Sequence, residues 1–116
     1  MLPLKLAGAV ALALLVAAPV SAHSRKTGTD PADGAVLDVA PETIRMDFDQ
    51  PIAITMIRLT DGSGAELPVA QNKSLKKVMT FEAVPPNLSA GTYTIEWRGL
   101  SDDGHPVQGT FSFDVR

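Results

Sequence analysis

Only two histidines occur in the 116-residue chain, and both stand where metal chemistry is open to them. His105 lies in Ser101-Asp102-Asp103-Gly104-His105-Pro106. Asp103 and His105 are two residues apart. On an extended backbone their side chains leave the same face, so a carboxylate oxygen and an imidazole nitrogen can reach one ion. Gly104 lets the backbone bend or approach a bound group. Pro106 biases His105 toward an extended conformation. Alone, the same letters also read as a polar turn with a solvated histidine, because Asp and Gly are ordinary turn residues. Asp102 has the opposite parity and is expected to point away, either as outer support or as a surface charge.

His23 acquires its chemistry from what precedes it. Residues 1–5 carry Lys5, residues 6–18 are an apolar run, and Pro19 is followed by short side chains up to Ala22. That is the pattern of a cleaved secretory signal. The run is shorter than the roughly 20 apolar residues of a membrane span. The expected division is a signal peptide at 1–22 and a mature domain at 23–116. Cleavage after Ala22 makes His23 the first residue, with a free α-amine beside its imidazole Nδ1. Two nitrogens of one residue then close a chelate ring, and nitrogen-rich planar ligation suits copper(II), which tops the divalent affinity order. His23, Asp103 and His105 are therefore the candidate ligands of one copper(II) ion.

Composition narrows the alternatives. Cleavage removes one lysine, so the mature chain has nine basic and thirteen acidic residues and a net charge of −4. A nucleic-acid binder would be basic on one face. The chain has no cysteine, which removes disulfides, thiolate zinc sites, blue-copper sites and iron–sulfur clusters. It also removes the residue a lipoprotein anchor needs. No second apolar segment has the length of a span. A soluble, monomeric, exported domain is expected, with the periplasm as its compartment.

The scaffold reads as short strands. Ile44, Met46 and Phe48 alternate with Arg45 and Asp47, the period of a half-buried strand. Pro51 is expected to end it. A second strand over residues 52–60 changes phase between Ile52, Ile54, Met56 and Ile57, Leu59, which a bulge or burial on both faces would explain. Turn chemistry stands at residues 30–34 and 61–64. Residues 71–77, with Lys73, Lys76 and Lys77, read as an exposed loop. Tyr93, Ile95 and Trp97 face one way from the strand over residues 92–98. Phe111, Phe113 and Val115 do so from the last strand. About seven short strands with regular turn signals predict an all-β antiparallel sandwich. Phe48, Phe81, Tyr93, Trp97, Phe111 and Phe113 are its expected core, leaving no aromatic stacking platform on the surface.

Taken in order, these pieces resemble the CopC family, also written CopC/YobA. The resemblance rests on the signal ending before His23, Asp30-Pro31-Ala32-Asp33-Gly34-Ala35, residues 44–48, Ala90-Gly91-Thr92-Tyr93 with Trp97-Arg98, and residues 101–106 followed by Gly109. It implies a small Greek-key β-sandwich. It implies copper(II) ligation by His23, through amine and imidazole, and by Asp103 and His105. It also implies a CopD-type inner-membrane partner and a role in copper resistance, storage or delivery rather than in catalysis. Some members carry a second, copper(I) site in a methionine-rich loop. The matching residues 61–74 hold no methionine or histidine here. Met46, Met56 and Met79 read as core filler, so no copper(I) site is expected.

Two other readings are distinguishable. An oxidative copper enzyme with an N-terminal histidine needs an open coordination position, and Asp103 would take one. A sandwich module without metal is the other, since fold does not fix function. Such a module would bind copper no tighter than about micromolar.

Overall fold

The computed structural model describes residues 26–116. The expected signal segment and His23 lie outside the described residues. Seven strands are present: β1 Lys26–Asp30, β2 Ala35–Leu37, β3 Ile44–Thr60, β4 Glu66–Leu67, β5 Val78–Ala83, β6 Gly91–Leu100 and β7 Pro106–Val115. No described helix is long and apolar enough to cross a membrane.

β3 organises the sandwich because it belongs to both layers. Its first half pairs antiparallel with β1 and β5. Its second half pairs antiparallel with β6 and β4. Pro51 was expected to divide this segment into two strands, yet β3 runs unbroken for 17 residues. The reason lies in the ladders. Among the described pairings none involves Asp49, Gln50 or Pro51. Pro51 thus sits where the strand passes from one layer to the other, and its missing N–H removes no ladder bond there. The expected bulge is present: the β3–β6 register shifts between Ile54 and Met56. That one-residue slip keeps Ile52, Ile54, Ile57 and Leu59 all buried.

β6 and β7 form a long antiparallel hairpin, from Gly91↔Val115 to Leu100↔Pro106. The sequence reading had no strand at β2, which pairs parallel with the end of β7. The sandwich is otherwise antiparallel. The turn ahead of β2 is held twice to β7: Gly34 N donates to Ser112 O at 2.7 Å, and the Asp33 carboxylate accepts from Ser112 N at 3.0 Å. Asp33 therefore ties this turn to β7, beyond the turn role its sequence suggested.

All six expected core aromatics are buried. Phe48 of the first layer meets Trp97 of the second edge-on, with ring centroids 5.4 Å apart. Tyr93 stacks on Phe113 at 5.7 Å, and its hydroxyl donates to Ser89 O at 2.6 Å, fixing the entry to β6. Of the three methionines read as core filler, only Met46 is fully buried. Met56 is half-buried, and Met79 keeps 51% of its surface exposed. Met79 shares the parity of the buried Phe81 and Ala83, so regular alternation would turn it inward; the β3–β5 register slips between the Asp47↔Thr80 and Ile52↔Val78 pairs, and Met79 falls in that irregular stretch.

Gly109 lies opposite Trp97 across the β6–β7 ladder. A β-carbon there would stand 2.7 Å from Trp97 Nε1 and 2.9 Å from Cε2. Gly109→Ala is expected to destabilise the fold by about 1–3 kcal/mol, the usual cost of overpacking. Urea denaturation followed by the single tryptophan's fluorescence checks it. An unchanged midpoint would show that the indole moves aside at no cost.

Candidate metal centre

The β6–β7 hairpin ends in the loop that carries Asp103 and His105. Its backbone is a tight turn rather than an extended segment. Gly104 N donates to Ser101 O at 2.9 Å, and Ser101 N donates to His105 O at 2.8 Å. Gly104 has φ +83°, the left-handed region glycine enters without a side-chain clash. The expectation that Asp103 and His105 converge holds, while its reason changes. Their side chains meet because the turn folds them together, not because alternate residues of a strand share a face.

His105 Nδ1 and Asp103 Oδ2 are 2.8 Å apart. The other carboxylate oxygen accepts a hydrogen bond from the Ser101 hydroxyl. Ser101 Oγ in turn accepts from His105 N at 3.1 Å. The Ser101 hydroxyl bond, and after it the contact with His105, hold the Asp103 carboxyl far below the usual carboxylate range. The side chains of Asp103 and His105 remain 60% and 78% exposed, open to an incoming ion.

Asp102 is directed elsewhere. Lys77 Nζ donates to Asp102 O at 2.8 Å and approaches its carboxylate at 3.4 Å. The lysine-bearing loop is thereby fastened against the loop of residues 101–105. Its middle is fixed to β3: Ser74 N donates to Ile54 O at 2.8 Å, and Ile54 N donates to Ser74 Oγ at 2.7 Å. Residues 71–77 are a fastened loop where the sequence suggested only an exposed one. Sequence reasoning also passed over Ser101. Its position two residues ahead of Asp103, in a stretch of turn formers, was the available signal, since serine hydroxyls bond nearby backbone in turns.

Among the described residues no group of three His, Cys, Asp or Glu is placed to hold a metal ion. Asp103 and His105 are a pair. Their donor atoms nevertheless fit copper(II): one carboxylate oxygen, one imidazole nitrogen and no sulfur. Two ligands about 2.0 Å from one ion and at right angles are about 2.8 Å apart. The pair is already at that spacing.

The family model described as CopC domain matches residues 26–116. This chain is a member of the CopC family. A copper resistance protein C from Xanthomonas campestris pv. juglandis is 31% identical over 90% of this chain and 88% of its own length. Protein YobA of Escherichia coli K12 is 28% identical over 97% of this chain and 94% of its own. Among solved structures, CopC from Methylosinus trichosporium OB3b superposes with a TM-score of 0.69 at 24% identity, over 80% of this chain and 93% of that one, a likeness of fold. PcoC, titled a methionine-rich copper resistance protein from Escherichia coli, gives 0.60 at 26% identity over 79% and 97%. The CopC relatives are named for copper resistance, not for a catalysed reaction. The all-β sandwich expected from the strand pattern is this family's fold.

Proposed function

We propose that this CopC protein is exported, cleaved after Ala22, and binds one copper(II) ion in the periplasm for storage or delivery. The ligands are the His23 amine and imidazole together with Asp103 and His105. A CopD-type inner-membrane protein is the proposed recipient. The protein works as a monomeric carrier, not as an enzyme. The observation that carries this reading is the Asp103–His105 pair, oriented in a sulfur-free loop at 2.8 Å. Copper would supply no reaction here. Asp103 contributes a permanent negative charge, and His105 a neutral nitrogen.

The test is a titration of correctly processed protein with copper(II), followed by EPR. The expected result is one equivalent bound, with a tetragonal signal and nitrogen couplings. Binding no tighter than about micromolar would leave the metal-independent module as the better reading.

Acidity should weaken the site in a defined direction. Amine and imidazole ligands bind only when deprotonated, and their reference pKa values are about 7.7–8 and 6.5. Copper affinity is expected to fall steadily from about pH 8 to about pH 5, because protons compete for the nitrogens. Asp103 takes no part in this fall, since its carboxyl is held far below that window. As a depressed carboxyl, it adds to fold stability above its unfolded pKa of about 3.9, and that contribution disappears only as pH drops further. Chelator-competition titrations across the range check this. A flat affinity would contradict amine and imidazole ligation.

A further inference from the structure

The geometry points to Ser101 as the residue that positions the Asp103–His105 pair, an inference that rests on the copper(II) reading of that pair. Ser101 is 1% exposed, the one buried polar residue among those described. Its four hydrogen-bonding functions all go to the loop it closes. The backbone N–H donates to His105 O, and the carbonyl accepts from Gly104 N. The hydroxyl donates to Asp103 Oδ1 and accepts from His105 N.

Packing cannot supply the same order. The Asp103 and His105 side chains are 60% and 78% exposed. Exposed side chains ordinarily sample several rotamers. Here the buried hydroxyl fixes one carboxylate oxygen, which leaves Oδ2 turned to His105 Nδ1 at 2.8 Å. The relay from Ser101 to carboxylate to imidazole thus sets both donor groups before any ion arrives. In the metal-free protein the relay selects a neutral His105 with its proton on Nδ1, facing the carboxylate; copper(II) would take that proton's place between Oδ2 and Nδ1, with the imidazole proton moving to Nε2. The ordering cost is met on folding instead of on binding.

Two features make the role separable from the fold. The two backbone hydrogen bonds of Ser101 do not depend on its side chain. Alanine also leaves no large void. Ser101→Ala should therefore fold and lose only the relay.

The experiment measures copper(II) affinity by chelator competition for the processed protein, Ser101→Ala, Ser101→Thr and an Asp103→Ala/His105→Ala double variant. Nitrogen-15 NMR of the metal-free proteins, with the imidazole neutral, reports the His105 tautomer. Ser101→Ala is expected to bind about 10–100-fold more weakly, the range seen when outer-shell partners of metal ligands are removed. Its His105 should shift from one tautomer to a mixture, and Ser101→Thr, which keeps the hydroxyl, should recover both properties. If Ser101→Ala matches the unaltered protein in affinity and tautomer while the double variant loses copper, the positioning role is overturned and the copper site stands. If the double variant also binds as tightly as the unaltered protein, the copper site itself is wrong. The unaltered protein alone gives a further check that needs no folded variant. An even tautomer mixture there would overturn the relay.

Discussion

One residue added ahead of His23 should weaken copper(II) binding by more than about 100-fold. The added peptide bond turns the His23 amine into an amide, which cannot ligate without losing its proton. The chelate ring between amine and Nδ1 is lost with it. Removing only an outer support of a metal ligand costs about 10–100-fold, so removing a ligand together with its chelate partner should cost more. The new free amine sits on the added residue and no longer closes that ring with the His23 imidazole. The extension lies ahead of β1, and the core of Ile44, Trp97, Phe111 and their neighbours is untouched. The comparison is between protein beginning at His23, verified by mass spectrometry, and protein beginning one residue earlier. Both are titrated with copper(II) against a chelator, and both are examined by EPR. The shorter form should show one more nitrogen donor. Equal affinity in the two forms would remove the amine from the site.

The second large effect is expected from the loop. His105→Ala should reduce copper(II) affinity by about 100-fold or more, and Asp103→Ala by a comparable factor, because each deletes a ligand rather than its support. His105→Ala should cost little stability, since exposed positions away from caps and cores rarely do, and its side chain is 78% exposed. Asp103→Ala should cost more, because it leaves the buried Ser101 hydroxyl without its acceptor. Denaturation midpoints measured beside the copper titrations separate the two effects. A variant that binds normally would exclude that residue as a ligand. One that loses copper only because it unfolds would show a shifted midpoint. Asp102→Ala is the matched control: its carboxylate meets Lys77 at 3.4 Å, away from the pair, so copper affinity should be unchanged.

Residue types and their spacing were enough to find the parts of this protein. Alternation placed Ile44, Met46 and Phe48 inward, and Tyr93, Ile95 and Trp97 likewise, because the period of a strand is a local property. The phase change between Met56 and Ile57 announced the bulge, which the structure places between Ile54 and Met56. Lack of cysteine and the D-x-H-P letters narrowed the metal and named Asp103 and His105. Other features depend on residues far apart in the chain and left no local trace. Pro51 reads as a break until the ladders show β3 changing layers there. The three-residue β2 is too short to carry a period, and its pairing with β7 is set by contacts nearly 80 residues away. Met79 matches a core methionine in type and in parity with Phe81 and Ala83, but the β3–β5 register slips where it stands and leaves it exposed.

The candidate site divides along the same line. Sequence by itself supplied the candidate groups: the Asp103 carboxylate, the His105 and His23 imidazoles and, with the proposed cleavage, an amine. Those are properties of residue types and of position relative to the signal. Tertiary structure decided how the loop presents its two. The β6–β7 hairpin closes residues 101–105 into a turn, and burial of Ser101 points its hydroxyl at Asp103. A hydroxyl acquires that direction only when the core around it is formed, so the arrangement of Asp103 against His105 belongs to the fold and not to the motif.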